Sequence, residues 1–182
     1  MTVTRQMTAV DFARLGTRAE RFELIRGELR EMSPVGSEHG RVLVRCALYF
    51  GSFVLDNGLG ELYGGDPGVI LEHDPATVRA PDLAFVSAER LPLPPTESSF
   101  MDLIPDAIIE IASPFDSSRA LDEKIADFLS RGTRVALTFN PRPRTVSIFR
   151  LGHPPITLSE SDDLVIEDVF PGFRIRVRKF FE

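Results

Sequence analysis

The chain has 182 residues, a formal net charge of −6 and one cysteine, Cys46. That length suits a single domain, 1–182, able to bury a core without disulfide or metal staples; a lone cysteine excludes an internal disulfide and suits a reducing cytoplasm. No stretch is long and apolar enough to span a membrane, the N-terminus lacks the apolar core of a signal peptide, and the acidic balance argues against a protein that grips nucleic acid through a global basic field.

Thr8 and Asp11 have capping-box spacing ahead of Phe12 and Leu15, which predicts a short helix from Thr8 to Leu15. RFELIRGELREM then reads as two strands turning at Arg26-Gly27. From Ser37 to Asn57, Val42, Cys46, Tyr49, Phe50 and Phe53 recur at helical steps, with Ser37 as N-cap and Asn57-Gly58 as the stop. GELYGG, GVILEH and VRAPDLAFVS read as three strands, separated by Asp66-Pro67-Gly68 and Asp74-Pro75 turns. Residues 89–105 carry four prolines and little periodicity, which predicts a long surface loop.

DAIIEIAS is apolar on both faces, as a central strand requires. SRALDEKIADFLSRG is an amphipathic helix with Leu121, Ile125, Phe128 and Leu129 inward and Gly132 at its end. RVALTFN and TVSIFRL follow as strands around a PRPR turn, and FRIRVRK near the C-terminus reads as an edge strand with a solvated basic face. The order predicts an α+β, or mixed α/β, fold: a mixed central sheet flanked by helices, with β additions at both ends.

Three ionisable residues stand out because of where they fall. Asp82 lies in APDLAFV and Glu110 in DAIIEIASP, both apolar runs in which a carboxylate is costly unless something cationic meets it. In extended chain Asp82 shares a face with Ala84 and Val86, and Glu110 with Ile108 and Ala112. If the two strands are neighbours, both carboxylates and the backbone carbonyl of Ile111 converge on one hard cation, magnesium or manganese, which favours oxygen ligands. Lys124 falls on the edge of the buried helical stripe, from which its ammonium can reach inward to orient water or stabilise charge on a phosphate. Taken singly, Asp82 could cap a turn, Glu110 could pair with an arginine and Lys124 could snorkel to solvent.

RFELIRGELREMSP, HGRV opening a helix, VRAPDLAFV, PDAIIEIASP and DEKIADFLSRG, in this order, resemble the putative restriction endonuclease family of the PD-(D/E)xK nuclease superfamily, over about Thr8 to Phe181. The resemblance implies a restriction-endonuclease-like core with Asp82 and Glu110 as metal ligands. The simplest superfamily motif has its lysine two residues after the second acid, where this chain has Ala112; Lys124 matches the position on the next helix to which the resembling family moves it. Phe128 and Leu137 stand where that family more often has tyrosine and an aromatic residue. His39 matches its His-Gly pair, which suggests an active-site contact, although a lone histidine is also a common helix cap. Glu23 and Glu28 match acids of its ELIxGEL segment; one of them could line the metal site, or both could be solvated hairpin carboxylates.

These readings lead to a cytoplasmic, magnesium- or manganese-dependent endonuclease acting on phosphodiester bonds, with DNA as the expected substrate. Catalytic roles are expected for Asp82, Glu110, Lys124 and His39, and a homodimer is expected because two symmetric sites can cut both strands of a duplex. The alternative is a non-catalytic module of the same fold, kept for DNA binding or protein assembly.

Overall fold

A computed structural model describes residues 6–93, 98, 100–113 and 117–182. The predicted capping box is present: the Asp11 N–H donates to Thr8 Oγ1 at 3.1 Å, opening α1 (Ala9–Ala13), which buries Ala9 and Phe12. A 3-10 segment, Gly16–Arg21, leads into β1 (Phe22–Ile25) and β2 (Glu28–Glu31). These form a hairpin about Arg26 and Gly27, whose φ values of 51° and 78° are the left-handed pair that a two-residue turn requires.

The long helix α2 (Ser37–Asp56) takes Gly36 as its N-cap, one residue before the expected Ser37, with no side-chain cap bond. Strands β3 (Gly60–Gly64), β4 (Val69–His73), β5 (Ala76–Arg79), β6 (Leu83–Ser87) and β7 (Ala107–Ile111) follow. Then come α3 (Ser118–Ser130), β8 (Val135–Asn140), β9 (Thr145–Phe149), β10 (Ile156–Leu158), β11 (Asp163–Val165) and β12 (Arg174–Arg176).

The strands form a six-stranded sheet in the order β10-β9-β8-β7-β6-β3, a four-stranded sheet β2-β1-β5-β4 and the pair β11-β12. In the large sheet only β7 and β8 run parallel, joined by α3 as a crossover; every other pairing is antiparallel. The fold is therefore mixed α+β, with a mixed central sheet and helices on its faces.

Two sequence expectations need correction. The run VRAPDLAFVS is not one strand: β5 belongs to the small sheet and β6 to the large one, with Ala80, Pro81 and Asp82 between them. Pro81 has no N–H to give a ladder and is excluded from a strand interior, so the chain changes sheets there. Asp82 consequently stands at a seam between sheets, one residue before β6. FRIRVRK is strand only over Arg174–Arg176; Val177–Phe180 turn into a 3-10 segment that buries Val177 and Phe180. Arg174 and Arg176 are exposed and paired with Asp163, so their charge is spent locally. The loop expected over 89–105 lies in part outside the described residues; within them, Met101 bridges Val69.

Alternation along β7 decides which helix each residue meets. Ile109 and Ile111 pack with Val42, Cys46, Phe50 and Val54 of α2, whereas Ile108 packs with Ile125, Phe128 and Leu129 of α3. The α2 side is closed by aromatic residues from the C-terminal segment: Phe50 lies 4.6 Å from Phe173, 5.2 Å from Phe170 and 5.9 Å from Phe180 between ring centroids. Phe50→Ala is therefore expected to cost about 3–5 kcal/mol in urea unfolding. Leu48→Ala, on the solvent side of the same helix at 58% exposure, is expected to stay within about 0.5 kcal/mol; similar losses for both would contradict this packing.

Candidate active site at the seam of two sheets

The break at Pro81 creates the first element of the site. β6 and β7 are in register at Leu83 opposite Ile109, so extending the register by two residues sets Pro81 across from Ile111. Pro81 has no amide hydrogen for the Ile111 carbonyl, and the Ile111 N–H is taken instead by Asp82 Oδ2 at 2.6 Å. In an antiparallel strand the N–H and C=O of a residue point the same way. The Ile111 carbonyl is thus directed to the side on which Asp82 sits, without a ladder donor from residue 81. The other Asp82 oxygen, Oδ1, lies 3.2 Å from Nε2 of His39, buried in the first turn of α2.

Glu110 is the fourth of the five residues of β7, at 6% exposure, and by alternation with Ile109 it faces α3. Lys124 meets it there: Nζ lies 2.9 Å from Oε1 and 3.1 Å from Oε2 of Glu110, 3.3 Å from Oε1 of Glu23, and donates to the Ala80 carbonyl at 2.6 Å. Lys124 is no snorkelling surface residue, since its side chain is 14% exposed. Glu23 arrives from β1, accepts the Ala80 N–H at 3.0 Å and pairs with Arg79 at 2.8 Å. Glu28 does not join this group: it is exposed at the hairpin end of β2.

A cleft of about 420 Å³ is lined by Glu23, His39, Asp82, Glu110, Ile111 and Lys124, so five of the six side chains singled out in the sequence reach one place. Three contributors were not foreseen. Arg79 is 4% exposed and ties Glu23 to Asp127 of α3, at 3.0 Å from Nε and 2.6 Å from Nη2. An arginine between Val78 and the Ala80-Pro81 bend was the visible signal, because a buried guanidinium needs carboxylate partners. Asp127 had none, as any acid on α3 would read as solvated. Asp66 lines the cleft from the turn before β4 with φ at 56°.

Electrostatics separate the acids. Burial pushes the Glu110 carboxyl up to about 8; Lys124 opposes this and Asp82 adds to it. Burial also acts on Glu23, but the fields of Lys124 and Arg79 and its hydrogen bonds outweigh it and hold that carboxyl below the usual range. Asp66 is raised by burial and then by the Asp82 charge. For Lys124, burial works against the ammonium and is overcome by Glu110 and Glu23, which hold it charged above the ordinary lysine range. The cleft thus has a surplus of acid, carried mainly by Glu110.

That surplus fits a hard cation. Among the described residues no group of three or more His, Cys, Asp or Glu side chains is disposed to hold an ion. An ion here would draw on Asp82, Glu110 and the Ile111 carbonyl and complete its shell with water or substrate oxygens, as magnesium does.

A family model described as "Uma2: Putative restriction endonuclease" matches residues 9–178. No curated protein matches the chain. Among solved structures, the chain resembles the crystal structure of a putative nuclease belonging to DUF820 from Anabaena variabilis, with a TM-score of 0.83 at 17% identity, covering 96% of this chain and 97% of that one. At that identity the likeness concerns the fold.

Two outcomes follow from the charges. A carboxyl raised in the folded state favours folding below its unfolded value and loses that contribution as pH rises through the folded one. The metal-free protein should therefore lose melting temperature between about pH 4.5 and about 8 on account of Glu110, while Glu23, shifted the other way, acts at lower pH. In Glu110→Gln the melting temperature should be flatter across the upper half of that window; parallel wild-type and mutant curves would count against the assignment. Arg79→Ala, which takes the guanidinium from Glu23 and Asp127 and leaves them to Lys124 and Arg131, should cost about 3 kcal/mol in denaturant unfolding, the low end for a broken buried pair.

Proposed function

The chain belongs to the Uma2 family of putative restriction endonucleases, and on that premise we propose that it is a metal-dependent endonuclease that hydrolyses phosphodiester bonds in DNA. The observation that carries this reading is the meeting of Asp82, Glu110, Lys124 and the Ile111 backbone in one cleft, on elements far apart in sequence. Asp82 and Glu110, with the Ile111 carbonyl, would hold magnesium or manganese. A bound divalent ion supplies polarisation of a phosphoryl oxygen and acidification of a water.

The protein's own groups divide the remaining work. His39 fixes the carboxylate of Asp82 from one side while the Ile111 amide fixes it from the other, so the acid is oriented before any ligand arrives. Lys124 is held by Glu110, Glu23 and the Ala80 carbonyl with its ammonium inside the cleft. There it stabilises negative charge developing on the phosphate and donates to the attacking water, interactions worth most in a site shielded from solvent. Glu23 and Arg79 keep that ammonium in place from the small sheet. A homodimer, with two such sites on opposite strands of a duplex, is part of the proposal.

Manganese or magnesium should raise the melting temperature, by mass action worth about 2.7 kcal/mol at a hundredfold excess over the dissociation constant, and Asp82→Ala should abolish the shift. Lys124→Met should retain the metal-induced shift while single-turnover cleavage of a labelled duplex falls about a hundred- to a thousandfold. Because Lys124 neutralises two buried acids, the metal-free variant should also be less stable than wild type. Wild-type turnover by Lys124→Met would remove the lysine from the chemistry. Tight metal binding without cleavage of duplex DNA, single-stranded DNA or RNA would make the protein a binding module instead.

A further inference from the structure

A second cavity, of about 430 Å³, adjoins the candidate cleft, and Met32, Asp66 and Ala80 line both. Their chemistry differs. The cleft sets Arg30, Arg79 and Lys124 among its acids, whereas the described residues lining the second cavity include no lysine or arginine and two carboxylates, Glu20 and Asp66. A phosphate therefore meets cations only on the cleft side, while the neighbouring cavity offers it carboxylates and no cation among the described residues. Apart from Ser98, the side chains of the rest of the second wall are aromatic or apolar, with Phe12, Phe22 and Phe100 contributing. Phe22 and Phe100 are partly exposed, and Phe100 is backed by Phe12 at 5.4 Å between ring centroids. Glycine at 68 is required for this wall, since a Cβ there would come within 2.4 Å of the Phe100 ring.

A flat, uncharged, donor-bearing group suits such a space. Its volume lies within the range of about 300–1,000 Å³ that small-ligand sites occupy. Aromatic rings accept the face of any nucleobase by stacking, and carboxylates accept from ring N–H and amino groups at its edge.

We propose that this cavity is a subsite for one unstacked nucleobase of the substrate strand, held against Phe22 and Phe100 with its donor edge on Asp66 and Glu20. The inference rests on the reading that a nucleic-acid strand lies in the adjoining cleft, and it names the substrate class more narrowly. A base can enter only after leaving the duplex stack, which costs a few kcal/mol for a paired base and less for an unpaired one. Single-stranded, frayed or mismatched nucleic acid is thus the favoured substrate over intact duplex. Guanine is the favoured base, because its ring N–H and adjacent amino group present two donors side by side to one carboxylate.

The test uses metal-free protein and free nucleosides, which carry no phosphate, with saturation-transfer NMR as the readout. Guanosine should receive saturation more strongly than thymidine. Asp66→Asn should weaken guanosine binding about tenfold, the value of one charge-assisted hydrogen bond. Ala13→Trp, which fills the cavity from the partly exposed end of α1, should abolish it while the protein stays folded. Asp82→Ala should bind guanosine like wild type. The proposal is overturned by an absence of transfer to any nucleoside, by binding that survives both cavity variants, or by binding lost in Asp82→Ala, which would put the nucleoside in the cleft. Retained guanosine binding in a protein that cleaves nothing would instead leave the subsite standing and remove the endonuclease reading.

Discussion

The buried ammonium of Lys124 is the interaction on which the rest of the site depends. It stands on α3, is held by Glu110 of the large sheet, and reaches Glu23 and the Ala80 carbonyl on the side of the small sheet. Three elements that also share the apolar cluster of Val69, Ile108, Ile125 and Phe128 are thereby joined through one charge. A buried cation survives only where carboxylates and hydrogen bonds replace its water. The same requirement fixes the position of each acid: Glu110 on β7 facing α3, and Glu23 on β1 where its two oxygens serve Arg79 and the Ala80 amide.

Arg79 extends this logic across the seam. Its guanidinium binds Glu23 on one side and Asp127 of α3 on the other, so α3 is anchored to the small sheet through Lys124 and Asp127, about one turn apart on the helix. Replacing such a network by apolar residues of equal volume would not be expected to lower stability, and often raises it. Its value here is positional. It keeps charged groups at the edge of a cleft in which an apolar core would leave nothing to act on a ligand. The acid surplus that remains on Glu110 is a cost carried by the metal-free fold, of the kind found where a site is arranged for a ligand and not for maximal stability.

The bend at Pro81 ties the two cavities together. A continuous strand through 78–87 would have paired Ile111 with a backbone amide and left Asp82 inside a ladder. Because proline cannot donate, the chain changes sheets, Asp82 turns to cap the Ile111 amide, and the Ile111 carbonyl is left facing the cleft. Ala80, beside the bend, lines both the charged cleft and the aromatic cavity. One backbone interruption thus sets the charged cleft apart from the aromatic cavity.

Local pattern alone settled most of the elements. The period of α2, the inward stripe of α3, the Arg26-Gly27 turn and the central position of β7 are all properties of neighbours in sequence, where side-chain spacing acts directly on backbone choice. Acids within apolar runs likewise announced Asp82 and Glu110, since burial without a partner is too costly to be accidental. What tertiary structure decided was the pairing. VRAPDLAFVS has strand propensity throughout, and only the competition between two sheets for its halves splits it at Pro81. Glu23 and Glu28 look alike in sequence, five residues apart on one hairpin, yet only Glu23 faces Arg79 and Lys124 while Glu28 stays in solvent. Arg79 and Asp127 acquired their meaning from each other across 48 residues. Sequence carries the burial tendency of each residue, but a buried charge is made tolerable by whichever partner the fold brings within about 3 Å, and that partner is chosen by packing at long range.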